Sequence, residues 1–390
     1  MGLSLSERCG CVTQSEIRAM SIECARIGGI NLSQGVCDTP VPQAVLDGAI
    51  DALKSGANTY THHAGLKVLR DAIALKQRRF TGMECDPESE IIVSSGATGA
   101  MYCAFQALLN RGDEVILFEP YYGYHVSTLR AVEAVPVFVP LSPPDWTFTL
   151  DQLEAVVTPR TRAVLLNTPA NPSGKVFSHE ELMLLAAFAE QHDLFVFTDE
   201  MYEHFVYDGR SHCSLATLPG MKERTITISG LSKTFSVTGW RIGYAICDAR
   251  WATAIGYFND LVYVCAPAPL QLGVATGLVM LDEGYYRGLS AEYGLKRDLF
   301  CQALEEADLR PYKPAGSYYV LADTSSLPGE TSKEKAMHIL RRTGVASVPG
   351  NAFYHGDGGE SLVRFCFAKE DDVLADACER LMNLQAVRNF

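Results

Sequence analysis

The sequence predicts an α/β protein, with a mostly parallel sheet between helices joined to a smaller α+β domain. Three observations predict it. The 390 residues are enough for one large domain and a smaller one. Through the middle of the chain, short and continuously apolar runs alternate with helical segments, the pattern of parallel strands buried on both faces. From about residue 284 that alternation gives way to a long helix followed by separate strands and helices.

In chain order, residues 41–56 and 65–80 place apolar residues three and four apart, which predicts two amphipathic helices. IIVSS then reads as a strand ending at Gly96, with a helix to about Asn110. EVILFEP, VPVFVP, AVLLNTP, LFVFTDE and TITISG are five further strands, each closing on a turn signal. A helix over roughly 285–306 precedes the strand SYYVLAD, a helix near 332–343, the strands VASVPG and LVRFCFA, and a final helix from about 370. The boundaries drawn from this are a large domain over 41–283 and a small domain made of 1–40 with 284–390. On sheets of this kind ligands sit at the carboxyl ends of the strands.

Charge and composition narrow the function. The net charge of -13 argues against nucleic acid, whose phosphates need a basic footprint. No apolar stretch is long enough to span a bilayer, and MGLSLSERCGC lacks the apolar core of a secretory leader. A cytoplasmic protein without a membrane partner is expected. The twelve cysteines are scattered singly through apolar runs, as Cys103, Cys247, Cys265 and Cys366 are. Only Cys9 and Cys11 sit close together, and they lack the second pair a zinc site needs. Reduced structural thiols and no metal are therefore expected.

The stretch richest in chemistry is SGLSKTFSVTGWRIGY, residues 229–244. An isolated lysine is ordinarily a solvated surface residue. Lys233 instead follows a strand and a Gly/Ser turn among small, hydroxylated and apolar neighbours. A lysine desolvated there has a depressed pKa and a nucleophilic amine. The segment from Gly230 through Lys233 to Gly243 resembles the attachment signature of the class I/II pyridoxal-phosphate (PLP) aminotransferases, and the likeness runs through almost the whole chain. It implies fold type I, with a seven-stranded sheet in the large domain. Lys233 would carry the cofactor as a Schiff base and Arg241 would bind its phosphate. Where relatives often place a serine three residues before the lysine, this chain has Gly230, leaving Ser232 or Ser229 for a phosphate contact.

The family's other motifs follow in the expected order. SSGATGA offers the N–H groups of Gly96, Ala97 and Thr98 at a helix N-terminus, suited to a phosphate dianion. By resemblance, Tyr122 in EPYYGY stacks on the pyridine ring. Asn171 in NTPANPSG bonds the phenolic oxygen, Tyr202 reaches the same oxygen, and Asp199 pairs with the ring nitrogen. A buried aspartate there keeps the ring protonated, the state in which it withdraws electrons. Arg364 interrupts the apolar strand LVRFCFA and would be costly to bury without an anionic partner. The resemblance makes it the fork for the substrate's α-carboxylate, a task suited to a planar guanidinium, with the Gly35 backbone beside it. Tyr60 matches a tyrosine that crosses to the partner subunit's phosphate, which implies a homodimer with shared active sites.

The function implied is ping-pong transfer of an amino group from an L-α-amino acid to a 2-oxo acid. The GATGA turn is closer to the kynurenine/glutamine and methionine branches than to the lysine-bearing turn of the thermophilic aspartate branch. The GVCDTPVP loop is shorter by about two residues than the G-x-P-D-F type, which bears on side-chain preference. No second arginine can be assigned to a distal carboxylate. A C–S lyase or aminocyclopropane-carboxylate synthase-like enzyme would use the same lysine, aspartate and arginine. A PLP-binding regulator would need a DNA-binding segment for which the chain has no spare length. A nicotinamide dehydrogenase would need a G-x-G-x-x-G after a strand, which is missing.

Overall fold

The structure, a computed structural model, describes residues 3–11 and 14–384. The reading of the first eleven residues as leaderless includes Met1 and Gly2, and the pairing of Cys9 includes the Cys11 side chain; these lie outside what is described. Helix α1 (Glu16–Arg26) leads into the short strand β1 (Ile30–Asn31), then α2 (Gln43–Lys54) and α3 (Lys67–Phe80). The alternating region follows as β2 (Ile91–Ser95), α4 (Gly96–Leu108), β3 (Glu114–Glu119), α5 (Gly123–Ala131), β4 (Val135–Pro140), α6 (Leu150–Glu154) and β5 (Thr161–Asn167). It continues through α7 (His179–Gln191), β6 (Phe195–Asp199), β7 (Thr225–Gly230), β8 (Ile242–Ile246), α8 (Ala249–Tyr263) and α9 (Ala268–Met280).

Strands β2 to β8 form one sheet in the order β2-β8-β7-β6-β5-β3-β4. All neighbours are parallel except β8, which runs antiparallel to both β2 and β7. Strand β8 is the one the sequence reading did not single out, because it follows the signature segment directly. Side chains alternate across the sheet: Val115 and Leu117 of β3 enter the core on one face, Ile116 and Phe118 that on the other. Burial on both sides explains why these strands read as unbroken apolar runs.

The rest of the chain is α10 (Glu283–Glu306), β9 (Arg310–Tyr312), β10 (Tyr319–Asp323), α11 (Ser332–Thr343), β11 (Val345–Ala346), β12 (Val348–Pro349), β13 (Leu362–Cys366) and α12 (Asp371–Met382). Four of these strands make an antiparallel sheet in the order β12-β13-β10-β9. The N-terminal β1 pairs in parallel with β11, and Met20 and Cys24 of α1 bury into the same core as Phe300, Ile339 and Phe365. No described helix is long and apolar enough to cross a membrane.

Candidate active site

Register brings the chemistry-bearing residues together. Asn167, the last residue of β5, lies opposite Asp199, the last of β6. Asn167 donates through Nδ2 to the Asp199 carbonyl at 2.9 Å, and its Oδ1 accepts the backbone N–H of Asn171 at 2.7 Å. One side chain thus pins the asparagine-proline turn to the end of the neighbouring strand. Lys233 sits in the turn after β7, and Arg241 lies just before β8. The Arg241 carbonyl accepts the Gly96 N–H at 3.0 Å, which docks this turn on the start of α4.

A cavity of about 570 Å³ opens at these strand ends. Gly35, Ala97, Thr98, Tyr122, Asn171, Asp199, Tyr202, Ser232, Lys233, Arg241 and Arg364 all line it. Gly96 and Tyr60 are not among its lining residues. Gly96 was expected to offer its N–H to an anion, but that group is already bonded to Arg241, leaving the N–H groups of Ala97 and Thr98. What Gly96 supplies is space and backbone conformation. Its φ is +71°, and a Cβ on it would lie 2.2 Å from Arg241 Nη2. Tyr60 is 82% exposed on this chain's surface.

Each charged group has a distinct setting. Lys233 Nζ donates to the Gly35 carbonyl at 2.6 Å. Burial, with smaller contributions from Arg241 and Arg364, lowers its pKa below the ordinary lysine value. Asp199 is buried, and its Oδ2 lies 2.8 Å from His125 Nε2. Arg364 is 1% exposed on an interior strand, not at a solvated edge. Its Nη1 donates to Asn171 Oδ1 at 2.9 Å and its Nη2 to the Ser33 carbonyl, while its plane stacks near the Tyr319 ring at 4.3 Å. Its Nε has no partner among the described residues.

The serine question has a geometric answer. Ser229 Oγ donates to Glu203 Oε1 at 2.9 Å and belongs to a buried network behind the sheet. Ser232 Oγ is buried, without a partner, in a residue that lines the cavity. An unsatisfied buried hydroxyl is costly unless a ligand completes it. That hydroxyl, the free N–H groups at the start of α4, and a guanidinium lodged against Gly96 suit a phosphate. The lysine with a depressed pKa suits an aldehyde, and the buried Asp199 carboxylate suits a protonated ring nitrogen. The residues therefore fit pyridoxal phosphate.

Three residues at the site, Asn167, His125 and Tyr319, went unread in the sequence. His125 lies one helical turn after Tyr122, the N-cap of α5, so EPYYGYH carried the spacing that could have found it. Tyr319 had been absorbed into a core strand; its hydroxyl lies 3.0 Å from that of Tyr202. A Cβ on Gly35 would meet the Tyr319 hydroxyl at 1.8 Å, so only glycine lets these two segments approach.

Comparison with known proteins gives the same assignment. The profile of the family "Aminotransferase class I and II" matches residues 27–381. A probable N-succinyldiaminopimelate aminotransferase from Mycobacterium tuberculosis is 38% identical, over 93% of this chain and 94% of the relative. Kynurenine–oxoglutarate transaminase 3 from Mus musculus is 35% identical, over 90% of this chain and 84% of its own length. Among solved structures, N-succinyldiaminopimelate aminotransferase from Mycobacterium tuberculosis superposes with a TM-score of 0.94 at 37% identity, covering 98% of this chain and all of that one.

Proposed function

The chain belongs to the class I and II aminotransferases, and from that premise we propose that Lys233 carries its cofactor in an active site completed by the second subunit of a homodimer. Amino transfer from an L-α-amino acid to a 2-oxo acid, with pyridoxal phosphate as cofactor, follows from the family and its named relatives. Bound there, pyridoxal phosphate supplies an aldehyde for amine exchange and a ring that withdraws electrons from the substrate's α-carbon.

The side chains divide the remaining work. Lys233 would hold the cofactor's aldehyde, and its freed Nζ would serve as the base that moves the α-proton. The placement of that amine at the strand ends, in the cavity that Asp199, Arg241 and Arg364 also line, carries the reading. Asp199, oriented by His125, holds the proton on the ring nitrogen. Arg241, Ser232 and the N–H groups of Ala97 and Thr98 bind the phosphate. Arg364 forks onto the α-carboxylate beside Gly35, and it is already aimed by Asn171 and the Ser33 carbonyl. Tyr122 would lie against the ring, and Tyr202 with Asn171 would hold the phenolic oxygen.

Exposed Tyr60 supports the dimer, since in its own chain it does not line the cavity. The domain division proposed is 41–283 against 1–40 with 284–390, supported by β1 pairing with β11. Free thiols at every described cysteine support a cytoplasmic site of action. Among the relatives' substrates, the N-succinyldiaminopimelate and kynurenine named above are the first donors to try. The test is stoichiometry. With an amino donor and no 2-oxo acid the enzyme yields one equivalent of keto acid per site and stops; continued release of ammonia or thiol would make it a lyase.

A further inference from the structure

Tyr319 is the first residue of β10, in the antiparallel sheet, yet its side chain reaches the active-site cavity at the ends of the large sheet. Its hydroxyl lies 3.0 Å from that of Tyr202, which follows β6 in the chain. Two contacts fix where that hydroxyl sits. The Tyr319 ring lies 4.3 Å from the Arg364 guanidinium, and a Cβ on Gly35 would stand 1.8 Å from the hydroxyl oxygen, so the Gly35 backbone closes on it. Tyr319 and Arg364 share a face because β10 and β13 pair with Tyr319 opposite Cys366 and Leu321 opposite Arg364.

A phenol has one proton to donate and can also accept. Burial pushes both phenols above the ordinary tyrosine value, so each keeps its proton at neutral pH. As the chain stands, either oxygen can be the donor across the 3.0 Å contact. With pyridoxal phosphate bound the direction is fixed: a Tyr202 proton given to the phenolic oxygen is not available to Tyr319, and the bond persists only with Tyr319 as donor. We propose that Tyr319 is a further positioning residue: its hydroxyl donates to the Tyr202 oxygen and so holds the Tyr202 proton on the cofactor's phenolic oxygen. This rests on the placement of Tyr202 at that oxygen. Hydrogen bonds in a chain polarise one another, by about 10–30% per bond, so Tyr202 is the stronger donor with Tyr319 behind it.

The visible absorbance of the holoenzyme, followed against pH, tests it. The proton titrated sits on the nitrogen that joins Lys233 to the cofactor, and its loss leaves more negative charge on the phenolic oxygen. A donor to that oxygen favours the deprotonated form and lowers the midpoint. Tyr202→Phe should raise the midpoint by roughly one to two pH units, the loss of one hydrogen bond to a charged group. Tyr319→Phe keeps the ring on Arg364 and should raise it by roughly 0.2–0.6 of a unit. In the Tyr202→Phe background Tyr319→Phe should add nothing. A midpoint unmoved by Tyr319→Phe but raised by Tyr202→Phe overturns the proposal and leaves Tyr202 in place. An equal shift from Tyr319→Phe in both backgrounds also overturns it, because the hydroxyl would then act without Tyr202. Midpoints unmoved in both single variants would overturn it together with the placement of Tyr202.

Discussion

Replacing Gly96 by alanine should weaken pyridoxal phosphate binding in addition to weakening the fold. An L-residue held at a left-handed φ such as the +71° of Gly96 costs about 1–2 kcal/mol. The added Cβ would also stand 2.2 Å from Arg241 Nη2 and 2.7 Å from Cζ. Those atoms are the far end of a flexible side chain, so the clash is relieved by moving the guanidinium out of the phosphate position. Losing one such charge-assisted hydrogen bond costs about 1.5–3 kcal/mol, or roughly ten- to a hundredfold in Kd. Gly112 is the control: its φ is +86°, and a Cβ there meets nothing within 4 Å. Titrating apoenzyme with pyridoxal phosphate by visible absorbance, alongside urea unfolding, separates the two effects. Both alanine variants should lose similar stability, and only Gly96→Ala should raise Kd. Parent-like binding by Gly96→Ala, or equal weakening by Gly112→Ala, would refute the reasoning.

Three more outcomes are expected. His125→Phe removes the 2.8 Å contact to Asp199 while keeping a ring in place, and should lower kcat/KM by about ten- to a hundredfold; unchanged kinetics would remove His125 from the site. Lys76→Met leaves buried Glu203 without its cation and should cost about 3–5 kcal/mol in urea unfolding. Burial pushes the Glu203 carboxyl up, but Lys76 outweighs it and holds the group at about 2 against 4.5. The stability from that pair is complete above 4.5 and is lost as pH falls towards about 2, so the acid arm of the stability profile should flatten in a Lys76→Met/Glu203→Gln variant. Lys233 gives the opposite window. Its folded pKa lies below 10.5, so the apoenzyme should gain stability as pH rises from the folded value to 10.5. Lys233→Met should lose that slope, and an identical slope in the variant would show the lysine to be solvated.

The sequence was most legible where one physical rule acts alone. Strands β2, β3, β5, β6 and β7 are largely buried and edge strand β4 is partly so, so their apolar runs and closing turns stood out, and Asp199 and Asn171 could be placed at or just beyond strand ends. Strand β8 was hidden by its position directly after Arg241, with no turn signal of its own. His125 and Asn167 were missed for another reason: both act through a second residue, His125 through Asp199 far along the chain and Asn167 through the 171 turn and the Asp199 carbonyl that the β5–β6 register brings to it. The role of Gly96 was misread because its motif suggests an anion-binding N–H, whereas the fold gives that N–H to a carbonyl far along the chain.

The central claim is that Lys233 holds the cofactor. Borohydride reduction of the holoenzyme, followed by digestion and peptide mass analysis, tests it most directly. The pyridoxyl group should appear on the peptide containing Lys233, and Lys233→Ala should show neither the modification nor the visible absorbance band of the bound cofactor. Labelling of a different lysine, or a Lys233→Ala protein that keeps the band, would contradict the account.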